Sequence, residues 1–149
     1  KSRDYSGRGF NPERILRSRR HYIRFHRTKA RRLAKLRTVF GSVQWMLAQG
    51  ASALDTREWL VEHIEGLGYK EATHFLRNIG RNGGLAILDR HILRHLHRLG
   101  VIRKVPPSLT RARYLEIEHQ FAQFAERINI PLDELDLLFW SLATGVILK

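Results

Sequence analysis

Lys70 and Asp89 stand nineteen residues apart, each at the start of a helix-forming stretch in a chain of 149 residues. Taken singly, the lysine reads as a surface residue and the aspartate as the N-cap of a helix starting at Arg90. Taken together they offer an amine nucleophile and a carboxylate partner. A lysine amine attacks carbon once a desolvated or cationic surrounding leaves part of it deprotonated. A nearby carboxylate can orient that amine, carry its proton and stabilise a cationic, sugar-like transition state. His91 and His95, four residues apart, share a helix face. They lack the glutamate of the zinc-protease pattern and read as structural or phosphate-facing rather than as metal ligands.

The elements that must position this pair are helical. Leu60 to Ile64 and Tyr69 to Ile79 carry apolar residues at helical spacing, and Gly66-Leu67-Gly68 joins them. Two glycines let the backbone turn sharply and come close to another surface. Lys70 then sits in the first turn of the second helix, where unbonded N–H groups and the positive end of the helix dipole make a site for a phosphate. This is the pattern of a helix-hairpin-helix motif over residues 60–76, with Ala72 at the close-packing position. Tyr69, beside the hairpin, either packs under it or faces the nucleic acid. Elsewhere, Asn11-Pro12-Glu13 predicts a helix start. Apolar positions from Ile15 through Leu47 continue at helical spacing, and Asp55 with Glu58 resembles a capping box for a helix over about 56–64. Arg90 to Leu99, Thr110 to Asn129 and a last helix opened by Pro131 follow. Tyr114, Ile117, Phe121, Phe124 and Ile128 line one side of the long helix, and Leu135, Leu138, Phe139 and Leu142 the last. No alternating strand pattern and no internal repeat is visible. The expected fold class is all-α, in a single domain over 1–149 with a loose basic segment at 1–19.

Charge separates the chain into two parts. The net charge is +13, and of 27 Lys and Arg, 14 lie within residues 1–37 beside only two of the 14 acids. The remainder is nearly neutral. Such asymmetry points to a polyanion, because each phosphate neutralised by Lys or Arg releases counterions. With 43% apolar residues the chain can build a core, and its length suits one domain. The absence of cysteine excludes disulfides, thiolate zinc sites and iron–sulfur clusters. No apolar run reaches the roughly 20 residues of a membrane span, and no signal peptide is visible. These features lead us to expect a soluble intracellular domain; its opening on Lys1 rather than Met suggests a processed or truncated chain.

The run Gly66 to Asn78, followed by Ala86 to Arg94, resembles the archaeal and bacterial 8-oxoguanine DNA glycosylase/lyases, the second family of such enzymes in the helix-hairpin-helix glycosylase superfamily. Arg24-Phe25-His26-Arg27, Arg113 to Glu118, Glu134 to Leu137 with Trp140, Thr144-Gly145 and Lys149 extend the resemblance over roughly residues 20 to 149. Members of that family carry several helices upstream of the Arg-Phe segment, where this sequence has residues 1–19.

The resemblance implies a helix-hairpin-helix glycosylase fold and a base-excision-repair enzyme that flips 8-oxoguanine out of duplex DNA. Lys70 would attack the sugar C1′ and displace the base, and the Schiff base would undergo β-elimination and nick the strand. Asp89 would assist proton transfer. Phe25 and Trp140 would sandwich the purine, and Lys149 would help tell the oxidised base from guanine. Gly66 and Gly68, with Arg24 and Arg27, would hold DNA phosphates. Related hairpins hold a monovalent cation on backbone carbonyls, here those near Glu62, Ile64 and Leu67. No cofactor and no other metal is required, and the expected enzyme is a monomer acting on double-stranded DNA in the prokaryotic cytoplasm, at the nucleoid, with no membrane. Two alternatives stay open: a related glycosylase for another oxidised base such as a pyrimidine, and a non-catalytic helix-hairpin-helix DNA-binding module. Pure binding needs neither Lys70 nor Asp89.

Overall fold

In the computed structural model, residues 11–19 and 22–145 are described, and every regular element among them is an α-helix. They form two units, one of residues up to Ala51 together with Glu62–Gly66, the other of Ser52–Val61 with residues from Leu67 onward. None of these helices is long and apolar enough to cross a membrane.

In the first unit, α1 (Pro12–Leu16) begins where its signals predict: the Asn11 side chain accepts from the Arg14 N–H at 3.2 Å, with Pro12 in the first turn. The apolar pattern does not run on unbroken. The chain leaves the helix after Leu16 and resumes as α2 (His26–Ala48), with Phe25 at the N-cap in the left-handed region, φ +60°. A bulky residue meets a steric penalty there, and Phe25 is held under the Arg24 guanidinium, 4.6 Å from the ring centroid. Helix α2 packs on α1 but buries only Ala30 and Val43 of its 23 residues. Its basic face is partly neutralised by Glu65, which takes Lys35 and, at 3.4 Å, Arg31. Gly66 adopts φ +83°, and a Cβ there would run into the Arg32 side chain, so this turn admits only glycine without displacing the arginine.

Helix α3 (Ala53–His63) starts three residues before the Asp55-based expectation. Ser52 is the capping residue: its hydroxyl accepts from the Asp55 N–H at 3.1 Å and donates to the Asp55 carboxylate at 2.6 Å. The cap is thus built on the serine, with Asp55 as its reciprocal acid.

The second unit holds α4 (Tyr69–Asn78), α5 (Arg90–Arg98), α6 (Arg111–Arg127) and α7 (Leu132–Thr144). Helix α7 packs against both α5 and α6. Ala72, Leu76, Leu96 and Phe121 are wholly buried, as the close-packing position of Ala72 requires. Each large apolar side chain removed from water contributes about 1.5–3 kcal/mol. Phe139 stacks between Phe121, at 5.7 Å, and His95, at 5.2 Å. The expected stripes end early: Ile128 is exposed at the end of α6, as are Leu138 and Leu142 on α7, while Ala125 and Asp136 take buried places. At the centre lies an ion pair. Arg57, fully buried, grips Glu118 with two bonds of 2.7 Å and reaches Thr73 at 3.3 Å, joining α3, α4 and α6.

Candidate functional site

Lys70 occupies the first turn of α4 because Gly68 stops the preceding turn there. Gly68 is the N-cap, φ −92° and ψ 178°, and has no side chain with which to cap the first-turn N–H groups. Those donors and the dipole are therefore available to an anion. Lys70 itself is exposed. Asp89 caps α5 as its position predicts, its Oδ1 accepting from the His91 N–H at 2.7 Å and the Ile92 N–H at 2.9 Å. Two bonds to one oxygen fix the plane of the carboxyl group.

The two residues line one cleft of about 290 Å³, together with Trp140 of α7. That volume is at the small end of the roughly 300–1,000 Å³ usual for ligand pockets. The structure thus brings together three of the residues picked out from sequence, Lys70, Asp89 and Trp140. Phe25, Arg24, Arg27 and Gly66 belong to the first unit, where Phe25 is 63% exposed and Arg27 approaches Glu13 at 3.7 Å. Glu62 is in the last turn of α3, Ile64 is buried and Leu67 half-buried. Lys149 lies outside the described residues.

His74, Arg77 and Asp136 also line the cleft, and sequence reasoning did not name them as site residues. The signal was their spacing: His74 and Arg77 follow Lys70 by one and two helical turns, and Asp136 precedes Trp140 by one. Asp136 is buried. Its Oδ2 accepts from Arg77 at 2.6 Å and from the Ile87 N–H at 2.7 Å, while Oδ1 has no partner among the described residues. Burial pushes its pKa up, and Arg77 and the Ile87 N–H pull it only part of the way back.

Tyr69 packs rather than facing outward. Its ring lies 5.3 Å from that of Tyr114, and its hydroxyl donates to Glu58 at 2.6 Å and accepts from Arg111 at 2.6 Å. Arg111 also bonds Glu58 at 2.8 Å, closing a triangle. Burial disfavours the Glu58 carboxylate, but the bonds from Tyr69 and Arg111 outweigh it and hold its pKa below the ordinary 4.5. His95 stacks on Phe139, its pKa lowered by burial and by Arg98 and His91. Among the described residues no three His, Cys, Asp or Glu side chains converge on a metal position.

A sequence model of the 8-oxoguanine DNA glycosylase family matches residues 11–130. An 8-oxoguanine DNA glycosylase/AP lyase of Fusobacterium nucleatum is 42% identical over 132 residues, 85% of this chain and 61% of that protein. One from Methanocaldococcus jannaschii is 43% identical over 126 residues, covering 85% of this chain and 60% of its own. The present chain therefore spans about three-fifths of the length of these curated relatives. The crystal structure of the M. jannaschii 8-oxoguanine glycosylase/lyase with a 15mer DNA containing 8-oxoguanine superposes with a TM-score of 0.80 at 39% identity, over 93% of this chain and 65% of that one. The 8-oxoguanine DNA glycosylase of Thermotoga maritima gives 0.77 at 32%. At this identity the all-helical fold is that of the helix-hairpin-helix glycosylases, and the chain belongs to the 8-oxoguanine DNA glycosylase family.

Proposed function

We propose that the protein is a bifunctional DNA glycosylase/AP lyase that removes 8-oxoguanine from double-stranded DNA during base-excision repair. The observation that carries this reading is the cleft in which Lys70, Asp89 and Trp140 meet. The relatives' two activities, glycosylase and AP lyase, agree with an amine nucleophile, since a lysine bound to the sugar serves both steps.

In this reading the Lys70 amine attacks C1′ of the flipped nucleotide, and the glycosidic bond breaks with its electrons leaving on the base. The Asp89 carboxylate, held in plane by the first turn of α5, faces the cationic character that develops at the sugar and moves protons to and from the Lys70 nitrogen. Once the adduct loses a proton, the nitrogen lone pair opens the C1′–O4′ bond, O4′ takes a proton, and a protonated Schiff base is left; this makes the C2′ proton acidic, and its loss expels the 3′ phosphate by β-elimination. Trp140 supplies a stacking face, worth about 1–3 kcal/mol for a base. Asp136, with an unpartnered carboxylate oxygen, suits the N–H donors on the edge of a guanine-type base. Phe25 supplies the second stacking face and Lys149 contributes to telling the oxidised base from guanine. Backbone N–H groups at Gly66 and Gly68, with Arg24 and Arg27, hold the phosphates. The carbonyls of Glu62, Ile64 and Leu67 are hard oxygen donors of the kind a monovalent cation takes, and such an ion would add positive charge beside a DNA phosphate. The working form is a monomer acting at the prokaryotic nucleoid, in keeping with the bacterial and archaeal sources of the relatives.

Borohydride trapping tests the assignment. The chain is mixed with duplexes carrying 8-oxoguanine, an oxidised pyrimidine or no lesion, and compared with Lys70→Gln. A covalent complex formed with 8-oxoguanine alone and lost in Lys70→Gln is expected. Trapping on the pyrimidine lesion instead would reassign the substrate. Salt-sensitive binding without trapping on any duplex would favour a binding module.

A further inference from the structure

Between α4 and α5 the chain passes through residues 85–89 without helix, yet Leu85, Ala86 and Leu88 are buried. Buried backbone N–H and C=O groups outside a helix or sheet need partners from elsewhere. Side chains of α6 and α7 provide them. The Ala86 N–H donates to Glu118 Oε1 at 3.2 Å, and the Ile87 N–H to Asp136. The Tyr114 hydroxyl donates to the Ala86 carbonyl at 2.8 Å and accepts from the Leu88 N–H at 3.3 Å. The next residue is Asp89, whose own N–H bonds the Ile87 carbonyl at 2.9 Å.

We propose that Tyr114 is a positioning residue for base excision: its hydroxyl, backed by Glu118, fixes the 86–88 backbone and thereby aims the Asp89 carboxylate into the cleft it shares with Lys70. This inference rests on the roles given above to Lys70 and Asp89. Tyr114 bridges one donor and one acceptor of the same segment, so it holds both sides of the peptide run that leads into Asp89. Acting both ways requires the phenol proton, and burial keeps it in place by pushing the Tyr114 pKa up to about 12. Glu118 is itself immobilised by the two bonds from buried Arg57, whose guanidinium carbon lies 5.7 Å from the Tyr114 ring centroid. The clamp therefore runs from α3 through α6 to the carboxylate. A misplacement of about 1 Å in a reacting group can cost roughly a hundredfold in rate.

The test is a double-mutant cycle on the chain as it exists. Single-turnover excision from a duplex with one 8-oxoguanine, and the dissociation constant for that duplex, are measured for the parent, Tyr114→Phe, Asp89→Asn and the double variant. Tyr114→Phe keeps the ring and removes both bonds. It is expected to slow excision at least about tenfold with the dissociation constant unchanged within about twofold, and the double variant to be no slower than Asp89→Asn alone. Parental excision by Tyr114→Phe overturns the inference. So do losses that multiply in the double variant, which would show that Tyr114 acts independently of Asp89. If Asp89→Asn itself excises at the parental rate, the catalytic assignment fails and this inference with it; a slow Asp89→Asn with multiplying losses sinks the role of Tyr114 alone. Amide hydrogen exchange on the unsubstituted chain decides the matter even if Tyr114→Phe does not fold. The Ala86 and Leu88 amides should be protected as strongly as those inside α6, and exchange at loop rates would overturn the clamp.

Discussion

Helices α2 and α6 both mix basic and apolar residues, but only α6 also carries acids, and the two are put to opposite ends. The 23 residues of α2 bury Ala30 and Val43; the 17 of α6 bury Tyr114, Ile117, Glu118, Phe121 and Ala125. Charge on α2 stays outside, with Arg31 and Lys35 meeting Glu65 in exposed pairs, whereas α6 takes Glu118 inside to meet Arg57. Exposed pairs are worth about 0–1 kcal/mol and are screened by salt. A buried pair is costly to form and costlier to halve. The first unit thus places its charge on a surface suited to a polyanion, and the second uses charge to hold backbone in place around the cleft.

Breaking the buried pair should have the largest effect on stability. Glu118→Ala strands Arg57 inside the second unit and removes the partner of the Ala86 N–H, so we expect a loss of about 3–5 kcal/mol in urea unfolding. A loss below about 1 kcal/mol would mean that water or a neighbour rescues the arginine and that the contrast between the units is overstated. Reversing charge in the first unit should do the opposite. Arg24→Glu with Arg27→Glu removes only the exposed contacts of Arg24 with Phe25 and of Arg27 with Glu13 and is expected to cost no more than about 1–2 kcal/mol. The slope of log binding constant against log salt on duplex DNA should become shallower by about one for each phosphate that is no longer neutralised. An unchanged slope would remove these two residues from the DNA interface.

The smallest expected effect sharpens the comparison at its boundary. The Glu58–Tyr69–Arg111 triangle is only partly buried. Because the folded protein holds the Glu58 pKa below 4.5, the carboxylate's contribution to stability is complete above pH 4.5 and is lost as pH falls through the folded value. Unfolding free energies of the parent and Glu58→Gln should therefore differ near neutral pH and converge in acid. A constant difference across that range would assign the triangle to packing rather than ionisation.

Helix starts were legible because their determinants are local. Asn11, Asp89 and Thr110 each cap a helix through an N–H two or three residues on, so type and spacing suffice. The start of α3 is less legible: Ser52, not Asp55, anchors its cap, because the Asp55 N–H is itself the donor to the Ser52 hydroxyl and the Asp55 carboxylate is that hydroxyl's acceptor. The break between Leu16 and His26 is not legible in the same way, because apolar spacing from Ile15 to Leu47 carries no mark of where a helix stops or of the left-handed Phe25 that caps the next one.

By itself the sequence determined an all-helical chain, the basic bias of its first quarter, the glycine turn ahead of Lys70 and the capping role of Asp89, all of which follow from residue type over a few positions. Only tertiary structure decided that Asp136 enters the cleft of that pair bonded to Arg77 and the Ile87 N–H, and that Tyr114 and Glu118 hold the backbone behind Asp89. Those contacts join residues 26 to 59 apart. At such separation a hydrogen bond exists only because packed helices bring its two ends together, and no local preference encodes it.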